Sequence, residues 1–297
     1  MKQSLKGIDT SHYSTAQINT NTISDVVKNN ELYFNYIKAS DGIGKDPTFA
    51  DNWRLSRSSG LICGAYHFFR PLRNPSVQAH NFLDAYAMVG HGGALPMTID
   101  VEWTKNNAHP TEDWDTIPPA ERAGMVLEFM RVIEAEQHVK PFIYTAKSFW
   151  HDFFDPHTST IQNAALGEYE LWIVDLKNQH PLPLPWANKA ALLSQTHLGE
   201  TATTNDPYDK CDQDCYNGNL KELLNKLAPG FTLSKAKYYS NIARDMQDAL
   251  TRKGFDTNGV DGYYGGGTEA AVQQFQQANG LFANGIIDAQ TWNKLLN

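Results

Sequence analysis

Short apolar runs recur along the first two-thirds of the chain with helical patterns between them, and this rhythm constrains the fold more than any other feature. The runs are Leu5 to Asp9, Tyr33 to Ala39, Leu61 to Phe69, Met97 to Glu102, Pro141 to Tyr144, Leu171 to Val174 and Ala191 to Gln195. The clearest helix lies between the fourth and fifth, from Ala120 to Gln137. There Met125, Val126, Phe129, Val132 and Ile133 make one apolar face and Pro118-Pro119 suits a helix entrance. Strand and helix alternating on this scale predict a parallel sheet, either open or closed into a barrel. A chain of 297 residues accommodates such a barrel, which reaches roughly 250 residues, plus a small appendage.

The pattern changes near the Pro229-Gly230 breaker pair, which ends a helical run from Leu220 to Leu227. Three short helices are predicted beyond it: Ile242 to Lys253, Thr268 to Asn279 and Asp288 to Leu296. Gly254 and Gly280 stand just past the first two, and Asp261-Gly262 and Asn284-Gly285 supply turns. The expected layout is a barrel over 1–228, a linker over 229–240 and a three-helix domain over 241–297. A unit of under about 60 residues has a marginal core, so it leans on its own tight packing or on the larger domain. As a detachable tail, it would be removable without loss of the chemistry of the barrel.

Composition removes several function classes. A net charge of −8 argues against a nucleic-acid partner, since phosphate binding needs clustered Lys and Arg. No stretch approaches the roughly 18 apolar residues that span a bilayer, so membrane insertion is not expected. Cys63, Cys211 and Cys215 show no metal-ligand spacing and read as structural thiols. Asp256 to Gly262 lacks the acids of a calcium loop, and Gly265-Gly266-Gly267 has no preceding strand and reads as a turn. No cofactor is expected.

The chemistry concentrates in Met97-Thr98-Ile99-Asp100-Val101-Glu102-Trp103. Alternate residues of a strand share a face, so Asp100 and Glu102 project together, with Cβ atoms about 6.5 Å apart. Glycoside cleavage needs two such carboxyls, one protonated to release the leaving oxygen and one ionised to stabilise the anomeric carbon, to activate an acceptor or to attack. An isolated Asp-x-Glu is more often a loop cap or an ion-pair partner. Asp9, at the end of the first run, and Asp212, near the close of the larger domain, change that balance. In a closed barrel, residues at the carboxyl ends of strands converge on one mouth. Tyr66, Tyr144 and Trp172 would line the same mouth, while His67 reads as an orienting or core histidine.

Gly7-Ile8-Asp9-Thr10-Ser11, Lys38-Ala39-Ser40-Asp41-Gly42, Gly64-Ala65-Tyr66-His67-Phe68, Asp100-Val101-Glu102 and Phe142-Ile143-Tyr144-Thr145 resemble, in order, the motifs of glycoside hydrolase family 25. The resemblance spans residues 5 to 218 and implies an irregular TIM-like β/α barrel, thus an α/β fold, with eight strands and fewer helices. It also implies cleavage of the β-1,4 bond between N-acetylmuramic acid and N-acetylglucosamine, without a metal and with net retention. Under it Glu102 is the general acid and then the base. Asp100 is the second catalytic carboxylate, whether it attacks or assists the substrate's N-acetyl group, and Asp9 and Asp212 hold the network that tunes the acid. Lys38, Asp41, Tyr66, Tyr144, Trp172 and Gln195 are the substrate-contact positions. The chain departs from the family in having Asp41 where Glu is frequent, Ser194-Gln195-Thr196 where Trp-Gln-Tyr is frequent, and Asp175-Leu176 after Val174.

Residues 239 to 297 resemble a small three-helix peptidoglycan-binding domain, through Val260-Asp261-Gly262-Tyr263-Tyr264-Gly265, Thr268 to Gln276, Asn279-Gly280-Leu281 and Gly285-Ile286-Ile287-Asp288 with Thr291-Trp292. The expected function is that of a muramidase anchored on bacterial peptidoglycan. A glycan-binding barrel without catalysis and a chitin-cleaving barrel are the alternatives. The start has no long apolar segment after its charges, so the expectation is synthesis in the cytoplasm and arrival at the wall or periplasm by release or non-classical export. A phage endolysin working with a holin fits that setting, as does an antibacterial effector paired with an immunity protein.

Overall fold

The computed structural model describes residues 4–14, 18–90, 92–104, 114–176, 181–199 and 206–297. Its strands are β1 (Leu5–Thr10), β2 (Leu32–Asp41), β3 (Gly44–Lys45), β4 (Ile62–Phe68), β5 (Thr98–Asp100), β6 (Phe142–Ala146), β7 (Glu170–Val174), β8 (Leu193–His197) and β9 (Asp212–Tyr216). The sheet runs β1-β9-β8-β7-β6-β5-β4-β2-β3, and β1 also pairs with β2, which closes it. Leaving aside the two-residue arm β3, this is an eight-stranded barrel.

Seven barrel strands run parallel to one another, as the alternation predicts. The eighth, β9, is antiparallel to both β8 and β1. Its sequence, Asp-Gln-Asp-Cys-Tyr, has too few apolar residues to announce a strand. The helical layer is incomplete. Helices Ile23–Asn30, Phe49–Ser58, Pro75–Tyr86 and Pro119–Gln137 follow the early strands, whereas among the described residues β7 is followed by a single turn at Leu184–Trp186. The helix Pro119–Gln137 buries Val126, Phe129, Met130 and Ile133, the stripe its periodicity sets out. The three cysteines are unpaired.

The three C-terminal helices are Asn241–Arg252, Gly266–Ala278 and Ala289–Leu296. The loops between them are locked by two glutamines that make the same bonds. Gln247 donates to Asp261 Oδ1, the Tyr263 carbonyl and Thr268 Oγ1, and accepts from Gly262 N. Gln276 donates to Asn284 Oδ1, the Ile286 carbonyl and Thr291 Oγ1, and accepts from Gly285 N. Each buried amide satisfies turn groups that would otherwise face an apolar interior.

The span 229–240, expected as a linker, is packed rather than free. Phe231, Leu233 and Tyr239 are buried, and Leu233 bridges to Ile287 in the small domain. Asn241 donates to the carbonyls of Val27 and Leu32 at 2.8 and 3.1 Å, and Tyr33 donates to Asp245 at 2.7 Å. Two loops that lead into strands are glycines because the segment presses on them. A Cβ on Gly60 would stand 2.4 Å from Ser240 Oγ, and one on Gly93 2.1 Å from Phe231 Cα; both have positive φ. One apolar cluster joins Leu5, Tyr33 and Leu95 of the barrel to Phe231, Ile242 and Met246. All these barrel contacts lie at or before the amino ends of β1, β2, β4 and β5, so the small domain covers the base of the barrel.

Truncation before residue 229 therefore exposes barrel core and is expected to give an unstable or insoluble barrel instead of a working one. Asn241→Ala removes the bonds to both carbonyls and the acceptor of the Tyr239 hydroxyl, although the Val27 carbonyl keeps its bond from Glu31 N, and it is expected to cost about 1–3 kcal/mol. Calorimetry of that variant should show one cooperative transition at lower temperature; two separated transitions would mean that the domains unfold independently.

Candidate active site

The opposite, carboxyl-terminal end of the barrel opens into a cleft of about 1110 Å³. Each of the ten residues singled out from sequence lines it: Asp9 from β1, Lys38 and Asp41 from β2, Tyr66 from β4, Asp100 from β5, Glu102 just beyond it, Tyr144 from β6, Trp172 from β7, Gln195 from β8 and Asp212 from β9. β5 ends at Asp100, yet Asp100 and Glu102 still face the same space while Val101 is fully buried. The backbone there is held on both sides. Val101 N donates to the Tyr144 carbonyl, Thr145 Oγ1 donates to the Val101 carbonyl, and Trp114 Nε1 donates to the Glu102 carbonyl.

The two acids have different surroundings. Asp100 is buried, and its Oδ1 has no hydrogen-bond partner among the described residues, whereas Glu102 is more exposed. Burial first, and then the neighbouring Glu102 charge, push the Asp100 carboxyl well above its ordinary range; Lys38 opposes this. Asp9 is also raised, by burial and then by Asp212 and Asp214, and its bond from Gln195 pulls the other way. Pairing across the closing ladder sets Asp9 opposite Asp212.

Polar bonds tie the aromatic wall to this cluster. Tyr144 donates to Gln195 Oε1 at 2.7 Å, and Gln195 Nε2 donates to Asp9 Oδ2 at 2.9 Å. Gln195 is thus engaged at both ends of its amide and orients Asp9. Trp172 is packed against Tyr36 and Tyr144, with ring centroids 4.8 and 4.9 Å away. Asp41 is engaged as well, accepting from Arg70 Nε and NH2 and from Lys38 Nζ. Burial raises its pKa, but the bonds from Arg70 and the Lys38 charge outweigh that and hold it below the usual range. Both cations also lie over the Phe68 ring. His67 is a core residue: it stacks on Phe129 with Nδ1 2.8 Å from Ser40 Oγ, and burial lowers its pKa to about 3, so it is neutral.

Sequence reasoning missed four contributors. Arg70 is distant in sequence from the Asp41 it clamps, and Trp103 and Tyr13 stand exposed on the rim. Asp214 lies one inward-facing step below Asp212, and the Asp-x-Asp spacing on β9 repeats the same-face logic of Asp100 and Glu102. It was legible once β9 was known to be a strand.

Burial, followed by the Asp212 charge, raises the Asp214 pKa. A carboxyl raised in the folded state favours folding below its unfolded pKa, and that benefit disappears as pH rises through the folded value. Chemical denaturation across pH should therefore show wild-type stability falling, relative to Asp214→Asn, as pH climbs above the ordinary carboxylate range. Parallel curves for the two proteins would contradict the assignment.

With this geometry in view, similarity to known proteins narrows the chemistry. The family model for glycosyl hydrolases family 25 matches residues 8–195, and a peptidoglycan binding domain model matches 239–295. The chain is 28% identical over 223 residues to the Escherichia coli K12 protein YegX, covering 74% of this chain and 72% of that one. It is 30% identical over 154 residues to lysozyme M1 of Streptomyces globisporus, covering 50% of this chain and 48% of that one. A bacterial lysozyme structure from Streptomyces coelicolor superposes with a TM-score of 0.60 at 24% identity, over 76% of this chain and 98% of the other, which shows a shared fold. A closed barrel of this order, and a family match that runs from within β1 through β7 and into β8, identify the chain as a member of glycosyl hydrolase family 25, a glycoside hydrolase with a C-terminal peptidoglycan-binding domain.

Proposed function

We propose that this enzyme is an N-acetylmuramidase that cuts the β-1,4 bond between N-acetylmuramic acid and N-acetylglucosamine in bacterial peptidoglycan. The observation that carries the reading is the meeting of Asp100 and Glu102 with Asp9 and Asp212 in one open cleft walled by aromatic side chains. Two carboxyls so close resist ionising together, so the pair retains a proton as pH rises past the ordinary carboxylate range. Glu102, the more exposed of the two, gives that proton to the leaving oxygen. It then takes one from the incoming water. Burial and the Glu102 charge favour the shared proton on Asp100, so the reading requires it to pass to Glu102 for the reaction. Asp100, its charged form then supported by Lys38, stabilises positive charge at the anomeric carbon, either as nucleophile or by orienting the substrate's N-acetyl group. Asp9 and Asp212 keep the acid cluster in place, and Tyr66 and Tyr144 supply faces for sugar rings.

The similarity to lysozyme M1 and the peptidoglycan-binding domain both favour this substrate over chitin. Attachment through the small domain raises the local concentration of the cleft at the wall. The domain sits at the opposite end of the barrel from the cleft, so the reading has the enzyme hold the wall at one pole and cut at the other. In its setting we place the enzyme at the wall after release from the cytoplasm, with a holin in phage lysis or with an immunity protein when delivered as an effector.

Glu102→Gln should lower the rate of wall lysis by about 10²–10⁴-fold, the usual worth of a general acid, while sedimentation with purified wall is unchanged. Activity near wild type would exclude Glu102 as the acid. Mass analysis of digested peptidoglycan should show fragments with reducing muramic ends; reducing glucosamine ends, anhydro ends or freed stem peptides would exclude a muramidase.

A further inference from the structure

Asp214 is a buried carboxyl that the reaction as derived above does not use. β9 places it opposite Gly7 of β1 and Gln195 of β8, one inward-facing step deeper than Asp212. Only 2% of it is exposed. Its Oδ1 accepts from Trp172 Nε1 at 2.9 Å, and its Oδ2 has no partner among the described residues. No Lys or Arg pairs with it among those residues. The indole is therefore the partner this side chain serves.

Trp172 needs such a partner. Its N–H is the only polar group on a side chain that is 2% exposed, and a buried donor left unpaired is destabilising. The ring is also the hub of the cleft's aromatic wall. It meets Tyr144 edge to face at 4.9 Å, Tyr66 edge to face at 6.5 Å and Tyr36 at 4.8 Å. Tyr66, Tyr144 and Trp172 all border the space that holds Asp100 and Glu102, and Tyr144 continues through Gln195 to Asp9. A rotation of the indole would displace both tyrosines, since packed rings have no slack to absorb it.

We infer that Asp214 is a positioning residue whose carboxyl fixes the Trp172 indole and, through it, the tyrosine wall against which the glycan is held. The inference deepens the muramidase reading and rests on it for the identity of the glycan. What the site requires of residue 214 is an acceptor for the indole N–H, and a negative charge is not part of that requirement. The competing role for a buried acid here is electrostatic, acting on Asp9 and Asp212, which it also adjoins.

The two roles separate in a variant series assayed on soluble, uncrosslinked glycan prepared from peptidoglycan. Asp214→Leu is expected to raise KM about tenfold with a smaller change in kcat, and to alter the near-ultraviolet circular dichroism of the tryptophans. Asp214→Asn keeps an acceptor and is expected to rescue both. Trp172→Phe should match Asp214→Leu, and the double variant should be no worse than either single one. The proposal is overturned if Asp214→Asn is as impaired as Asp214→Leu, or if the two single losses add. It is also overturned if Asp214→Leu loses activity through kcat alone with an unchanged spectrum. Should Asp214→Leu fail to fold, Asp214→Asn and Trp172→Phe still decide: the first must keep the wild-type KM and spectrum, and the second must raise KM. The spectra are read without substrate, so an absence of reducing muramic ends from the wild-type enzyme would defeat the muramidase reading while leaving the positioning of Trp172 still tested.

Discussion

The antiparallel ladder between β9 and β1 closes the barrel, and the cleft exists because of it. That pairing sets Asp212 against Asp9 and Asp214 against Gly7, joining the last strand of the barrel to the first. Without it the sheet would be open, and acids from the two chain ends of the domain would face different solvent regions. With it, four carboxyls share a partly dry bowl where their repulsion is poorly screened. Burial, and then the charges of Asp212 and Asp214, raise the Asp9 carboxyl; burial, and then Glu102, raise Asp100, to which Asp212 adds less. A cluster of acids at that density is costly to fold. Its counterpart is that Asp9 and Asp100 hold protons more tightly than ordinary carboxylates do.

Strand direction divides the barrel into two poles with different work. The carboxyl ends carry the acids and aromatics of the cleft, while the amino ends meet the small domain through Asn241, Tyr33 and the apolar cluster around Phe231. Rigid docking at the base leaves the cleft mouth free. It also resolves the marginal size of the three-helix unit, which shares a core with the barrel instead of standing on its own. The glutamine locks at Gln247 and Gln276 hold its loops, so the unit presents a fixed surface.

Much of the barrel and its site was legible in the chain because the signals are local. Strand runs are short and apolar, and the acids and aromatics that matter follow them directly, so the barrel rule carried Asp9, Asp100, Glu102 and Asp212 to one mouth. The seven strand runs found by pattern are strands, with boundaries shifted by a few residues; β5, for example, stops at Asp100, short of Glu102. β9 escaped notice because alternating acids on a strand that lines a polar cleft look like a loop. Arg70 escaped because its meaning lies in Asp41, a partner that only the adjacency of β2 and β4 brings near. The docked segment 229–240 escaped because breaker residues mark a turn without saying whether the turn is free or packed.

The sequence by itself determined the alternating α/β plan, the same-face placement of Asp100 and Glu102, and the presence of a second small helical unit. Those properties follow from periodicity and backbone geometry, which act over a few residues. Only the tertiary structure decided that the sheet closes through an antiparallel strand and that the small unit is fused to the base. It also decided that Gln195, Asp41 and Asp214 are engaged by Tyr144 and Asp9, by Arg70 and Lys38, and by Trp172. Each of these depends on which distant groups share a buried space, and burial is a property of the whole packed chain.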